Sequence, residues 1–155
     1  MRSYGQLCAV ACALDVVGDR WSLLIVRELV EGPRRWTDLR SGLPGVAKNL
    51  LADRLRDLEA AGVLTCEADR YALTPRGAAL EPVLHALLFW GAPLVEEAPA
   101  DAHARPAWVG MACRAVPHAE LLEGDDEHAR VRLGDEILEG TPAEVLRAMA
   151  ATAPR

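Results

Sequence analysis

Apolar positions recur at helical spacing through the first part of the chain, broken once by a short alternating stretch. Residues 8–17 read as an apolar-rich helix closed by Gly18. Asp19 is a suitable N-cap for a second helix, 20–31, which Gly32-Pro33 ends. That helix carries Trp21, Leu23, Leu24, Ile25, Val26, Leu29 and Val30 on nearly every side, which places it at the centre of a core. Thr37 caps a short helix to Gly42, and Leu43-Pro44-Gly45 turns the chain into a longer helix, 46–61, stopped by Gly62. Residues 63–66 and 71–73 alternate as two strands separated by Glu67-Ala68-Asp69-Arg70. Thr74-Pro75 then opens a last helix, with Thr as N-cap and Pro at the first position. It carries an apolar stripe through Leu80, Leu84, Leu87, Leu88, Leu94 and Val95, and Pro82 should kink it.

Helical periodicity stops at 96–106, where Pro, Ala and charge take over, so the chain reads as a first domain 1–95, a linker 96–106 and an appendage 107–155. In the appendage Trp108 to Cys113 is apolar, and Ala129, Val131 and Leu133 alternate with Arg130 and Arg132 as a strand. Thr141-Pro142-Ala143-Glu144 forms a capping box before Val145, Leu146 and Met149. This small α+β appendage either binds an effector in an apolar pocket or extends a dimer interface. The acidic run 123–127 lacks the spacing of a calcium loop and reads as a solvated turn.

Composition narrows the class. With 155 residues, 51% apolar and 26% charged, the chain can bury a core, which excludes disordered and fibrous proteins, and it is too short for a large multi-domain enzyme. The longest run without a formal charge, residues 82–95, falls short of the 18 to 20 or so apolar residues of a bilayer span, so no membrane is expected. Arg2 ahead of Leu7 to Val10 imitates a signal peptide, but the apolar core is short and Asp15 and Asp19 follow. Cys8, Cys12, Cys66 and Cys113 sit inside apolar patterns, which favours reduced thiols in a cytoplasmic protein. Cys66 and Cys113 fall in expected strands and are taken as core. The net charge of −6 belongs wholly to residues 96–155, whereas 34–56 hold Arg34, Arg35, Arg40, Lys48, Arg54 and Arg56 against Asp38 and Asp53. A basic patch in a neutral domain suggests a polyanion.

The order helix, helix, helix-turn-helix, hairpin, helix is that of a winged helix-turn-helix domain, giving a mainly α fold in an α+β mix. The residues resemble the HxlR-type transcriptional regulators, relatives of the MarR group. Matching residues are Cys8 with Val10, Leu14-Asp15-Val16-Val17-Gly18-Asp19-Arg20-Trp21, Leu24-Ile25-Val26-Arg27 and Gly32-Pro33-Arg34-Arg35-Trp36-Thr37-Asp38-Leu39. Arg54-Leu55-Arg56-Asp57-Leu58-Glu59 with Gly62, Leu73-Thr74-Pro75 with Gly77, and Leu80-Glu81-Pro82-Val83-Leu84 leading to Trp90-Gly91 continue the match to about residue 92. Two departures stand out. Ala47 replaces the Ser that usually begins the recognition helix, removing a cap and a phosphate donor, and the wing is short, with Arg70 the basic side chain at its tip.

A wheel at 100° per residue puts Leu51, Leu55 and Leu58 on one side of the fourth helix and Asn49, Asp53 and Arg56 on the other, with Lys48 and Ala52 flanking. Asn pairs with adenine N6 and N7, Lys donates to guanine and Asp accepts from cytosine N4, so Lys48, Asn49 and Asp53 are the expected base readers. Arg34, Arg35, Arg54, Arg56 and Thr37 are expected on phosphates. Cys8 and Cys12 share a helical face, which fits a metal pair, a reactive thiol pair or burial; no His sits at ligand spacing, so no metal is expected. The resemblance implies that Cys8 senses electrophiles or oxidants, and that the first and last helices build a homodimer, for which Leu80, Leu84, Leu87, Leu88 and Trp90 are the candidates. Double-stranded DNA, a second copy and a small-molecule effector are thus the expected partners, and repression the expected action. No phosphate loop, dinucleotide fingerprint, nucleophile elbow or zinc-protease helix occurs, and His85, His103, His118 and His128 are scattered, so neither enzyme activity nor a cofactor is expected. A winged fold that binds protein instead of DNA is the alternative, which an apolar outward face on 48–56 would favour.

Overall fold

The computed structural model describes residues 3–99 and 101–152. The chain divides into two compact units, Met1–Glu81 and Pro82–Arg155, so the packing boundary falls ahead of the compositional break at 96–106.

The first unit runs α1 (Ala9–Val17), α2 (Ser22–Leu29), β1 (Arg34–Arg35), α3 (Trp36–Gly42), α4 (Lys48–Ala60), β2 (Leu64–Glu67), β3 (Arg70–Leu73) and α5 (Pro75–Ala78). Helix α2 packs on α3, α4 and β3. Its Ile25, Val26 and Leu29 are buried, as are Leu39, Leu51, Leu55, Leu58, Val63 and Leu64. The apolar periodicity therefore placed the core well, but two helix starts differ from expectation. α2 begins at Ser22, not Arg20, because Trp21 takes a left-handed conformation with φ +82° and the Ser22 N–H donates to the Asp19 carbonyl at 3.1 Å. Its burial is also less uniform: Ser22 and Glu28 are inside while Leu24 is exposed. Thr37 does not cap α3. Arg35 holds the N-cap position, and the Asp38 carboxylate reaches back to accept its N–H at 3.1 Å.

The wing is a three-stranded antiparallel sheet in the order β1-β3-β2. Ala68 and Asp69 have φ of +48° and +62°, which makes the β2–β3 connection a two-residue turn that matches the strand twist. Glu67 and Arg70, expected in the turn, pair with each other as the last rung of the ladder. Strand β1 is only two residues long and left no periodic signal in the sequence.

Thr74 caps α5 as expected: its Oγ1 accepts the Gly77 N–H at 3.2 Å and donates to the Gly62 carbonyl at 2.6 Å. The helical run that follows is not one kinked rod. It turns at Ala79 and Leu80, resumes as α6 (Glu81–Gly91) and ends in a 3-10 turn, Ala92–Val95. Pro82 thus sits in the first turn of α6, where its missing N–H costs no helical bond, instead of kinking a continuous helix. Counted from Pro75 to Val95 this run is long and apolar enough to cross a bilayer by length and composition, contrary to the expectation that no such span exists. Little of it is buried.

The second unit continues with α7 (Pro106–Ala115), β4 (Ala119–Gly124), β5 (Ala129–Leu133), β6 (Glu136–Gly140) and α8 (Pro142–Ala151). The sheet order is β4-β5-β6, all antiparallel. Val109, Ala112, Cys113, Ala129, Val131, Val145 and Met149 form its core, and Leu88 of α6 packs against them. The strand at Ala129 to Leu133 and the Thr141 capping box are as expected, with Thr141 N–H donating to Glu144 Oε2 at 2.8 Å and Glu144 N–H to Thr141 Oγ1 at 3.3 Å. Cys113 is core, yet it lies on a helix and not a strand; burial pushes its thiol up to about 11. Cys66 lies on a strand, yet it is exposed and not core. The acidic run is a turn in which Asp125 Oδ1 accepts the Glu127 and His128 N–H groups at 2.9 and 2.8 Å.

Candidate nucleic-acid interface

Helix α4 has two chemically distinct sides. Leu51, Leu55 and Leu58 are buried, while Lys48, Asn49, Ala52, Asp53 and Arg56 are exposed, as the wheel requires. Ala47 stands at the N-cap without a side-chain hydrogen bond, so the first amides of α4 have no capping hydroxyl over them. Arg56 Nη2 pairs with Asp53 Oδ1 at 3.1 Å across one turn; both are solvated, and such a pair holds the side chains only weakly.

Arg54 departs from its expected place. Its Nη1 lies 2.7 Å from Asp19 Oδ2 and 2.6 Å from Asp57 Oδ2, and only 21% of the side chain is exposed. It points back into the domain because position 54 falls between the outward and buried faces of α4, beside the α1–α2 junction. The sequence offered no cue that Asp19 would be its partner.

Arg35 lies directly opposite Arg70 on the β1–β3 ladder, and Arg70 lies opposite Glu67 on the other side. Residues opposite one another project to the same face, so the two arginines stand side by side near the wing tip, both exposed. Arg34 occupies the neighbouring row, opposite Tyr71, and is half-buried. Desolvation, and then the neighbouring Cys66, raise the Tyr71 phenol above its ordinary range. Thr37 is exposed in the first turn of α3, its hydroxyl 3.4 Å from Asp38 Oδ1.

Cys8 is the N-cap of α1, exposed, with φ −142° and ψ 125°. The backbone N–H of Ala11, and then that of Val10, hold its thiol pKa below the ordinary value. Cys12, one turn on, is exposed too, with its Sγ 3.8 Å from the Gln6 carbonyl, so simple burial does not account for this pair. No cluster of His, Cys, Asp or Glu suited to a metal ion occurs among the described residues.

Two apolar stripes lie open on the chain. One comprises Leu7, just ahead of α1, with Val10 and Leu14 on it, and the other Val83, Leu87, Trp90 and Leu94 along α6 and the 3-10 turn. The second coincides with only part of the set expected at an interface. Leu84 is buried, Leu88 serves the second core and Leu80 is half-buried, which leaves Leu87 and Trp90 on the free face with Val83 and Leu94. The spacing 83, 87, 90, 94 is the signal that finds this face.

The profile of the HxlR-like helix-turn-helix family matches residues 16–99. An uncharacterized HTH-type transcriptional regulator of Synechocystis sp. is 34% identical over 100 residues, spanning 60% of this chain and 74% of its own. The crystal structure of quinone-bound YodB from B. subtilis is similar with a TM-score of 0.51 at 30% identity, covering 53% of this chain and 93% of YodB. The redox regulator HypR in its reduced form is similar with a TM-score of 0.51 at 28% identity, covering 59% of this chain and 100% of HypR. These proteins are transcription regulators and not enzymes, the matched segment spans the helix-turn-helix and the wing, and the chain belongs to the HxlR-like helix-turn-helix family.

Proposed function

We propose that the protein binds operator DNA as a homodimer in the cytoplasm, represses transcription there, and releases the DNA when an electrophile or oxidant modifies Cys8. The observation that carries the reading is the division of α4 into a leucine face and an exposed polar face that begins with Lys48 and Asn49. Lys48, Asn49 and Asp53 read base edges in the major groove, while Arg34, Arg35, Arg56, Arg70 and Thr37 hold phosphates. The polar character of that face disfavours the protein-binding alternative. The uncapped amides of α4 add a further phosphate site.

Self-association rests on the two open stripes, since apolar strips of this length on one small chain mark contact surfaces. Pairing of two copies also matches a two-fold operator. In this reading residues 107–155 support the dimer: Leu88 anchors α6 in their core and leaves its opposite side free. Sensing at Cys8 rests on the thiol's place at a helix start and on the likeness to a relative solved with quinone bound.

Selection of DNA from a random pool by the purified protein, followed by sequencing and by light scattering of the complex, tests the whole reading. A pseudo-palindrome with half-site centres about 10 to 10.5 base pairs apart, or a multiple, bound by two copies is expected. An unenriched pool, or a monomer on the DNA, would overturn it.

A further inference from the structure

Arg54 belongs to α4 but not to its outward face, and its surroundings give it another task. One nitrogen, Nη1, bridges Asp57 along α4 and Asp19 in the segment between α1 and α2, at 2.6 and 2.7 Å. Its Nε is buried, and the side chain is 21% exposed against 71% for Arg56 two residues on. Beside this bridge lies a half-open cavity of about 640 Å³ lined by Ser3, Tyr4, Leu14, Asp15, Asp19 and Arg54, among others. The guanidinium thus links α4 to the α1–α2 segment at the edge of an open cleft, a directed contact beside space that no side chain fills.

We propose that Arg54 is a positioning residue for base reading: by bridging Asp19 and Asp57 it fixes the rotation of α4 on the domain, and it contacts no phosphate. The proposal rests on the reading of α4 as the DNA-reading helix. A roll of about 10° moves a side-chain tip about 5 Å from the helix axis by about 0.9 Å. Productive site geometry tolerates about 0.5 Å. Asn49 and Asp53 lie within five residues of Arg54 on the same helix, so its bridge sets where they meet base edges. Both carboxylates meet the single nitrogen Nη1, and a lysine ammonium would stop about one bond short of that point, which is why Arg54→Lys tests the bridge.

Asp19→Asn separates positioning from simple electrostatics because the two give opposite signs. Removing a negative charge near the interface tightens binding to any DNA. Removing the bridge loosens discrimination. Asp19→Asn, Arg54→Lys and Arg54→Gln should be titrated with the selected operator and with a random duplex over a salt series, with thermal melting alongside. The expected result is a loss of about tenfold in the operator-to-random ratio for all three. Random-duplex affinity in Asp19→Asn should hold or rise, and the salt slope of Arg54→Gln should stay unchanged. A slope lowered by about one in Arg54→Gln, with the ratio intact, makes Arg54 a phosphate contact and overturns the proposal. So does a folded Asp19→Asn that discriminates as well as the original chain; the substitution is isosteric at a residue whose side chain is 64% exposed, so folding should survive it. Original protein that discriminates no duplex sinks the DNA-reading role of α4 itself, a failure visible before any variant is measured.

Discussion

Arg35 stands directly opposite Arg70 where β1 pairs with β3. Like charges in opposed positions destabilise a sheet by a few tenths of a kcal/mol, and Glu67 on the far side of Arg70 offsets this by a similar amount. A phosphate between the two guanidinium groups converts the repulsion into attraction. Arg70→Gln should therefore leave the melting temperature of the free protein nearly unchanged while weakening binding to every duplex, with the salt slope reduced by about one per wing engaged. Melting curves without DNA and titrations at several salt concentrations check the two outcomes.

Asn49 lies in the first turn of α4 and is exposed. Asn49→Ala should relax preference at one position in each half-site, at about 1 to 3 kcal/mol per base contact, whereas Arg35→Ala should weaken all sequences alike. A panel of single-base operator variants distinguishes them. An equal shift across the panel for Asn49→Ala would remove it from the base-reading set.

The lowered pKa of Cys8 enlarges its thiolate fraction at neutral pH, and the thiolate is the nucleophile. Alkylation of Cys8 followed by mass spectrometry should accelerate with a midpoint below that of an unperturbed thiol. Cys113, pushed up to about 11 and buried, should stay unmodified in the folded protein. Cys8→Ser should bind DNA like the original chain and lose quinone-induced release.

Gly77 packs so closely on the backbone just ahead of β2 that an added Cβ would collide with the Val63 carbonyl oxygen. Backbone cannot yield as a flexible side chain does, so Gly77→Ala should destabilise the first unit by about 1 to 3 kcal/mol. Gly91, with open space around its would-be Cβ, is the control: Gly91→Ala should be neutral or slightly stabilising. Denaturant unfolding of both variants measures the contrast.

Acid should loosen the second unit through Glu144. The Thr141 N–H, and then the Thr141 hydroxyl, hold its carboxyl below the ordinary value. A depressed carboxyl contributes stability that is present above the unfolded-state value and is lost as pH falls through the folded one. Melting temperatures of the original chain and Glu144→Gln should differ near neutral pH and converge in acid below about pH 4. Asp125, depressed by the Glu127 and His128 amides, leaves residual acid sensitivity in both proteins. Thr141→Ala should cost about 1 kcal/mol at neutral pH.

The sequence was most legible where one period ruled a long segment. Leu51, Leu55 and Leu58 declared the inward face of α4, and with it Lys48, Asn49 and Asp53 on the outward one. It was least legible where a single backbone angle or a distant partner decided. Trp21 in the left-handed region delayed α2 in spite of Asp19, which looked like a cap and became an ion-pair partner for a residue 35 positions on. Strand β1 exists because β3 offers an edge, a long-range cause that two residues cannot encode locally. Leu88 looked equivalent to Leu87 along one helix, and only the presence of the second core separated them.

The open strip through Val83, Leu87, Trp90 and Leu94 also bears on dose. Two copies that meet through such a strip are governed by mass action, so below the pairing constant the amount of operator-competent species grows with the square of total protein. Occupancy of the promoter would then rise more steeply than the supply of the regulator. Halving synthesis would quarter the active form, and dilution at cell division would act as a signal in its own right, independent of any chemistry at the thiol.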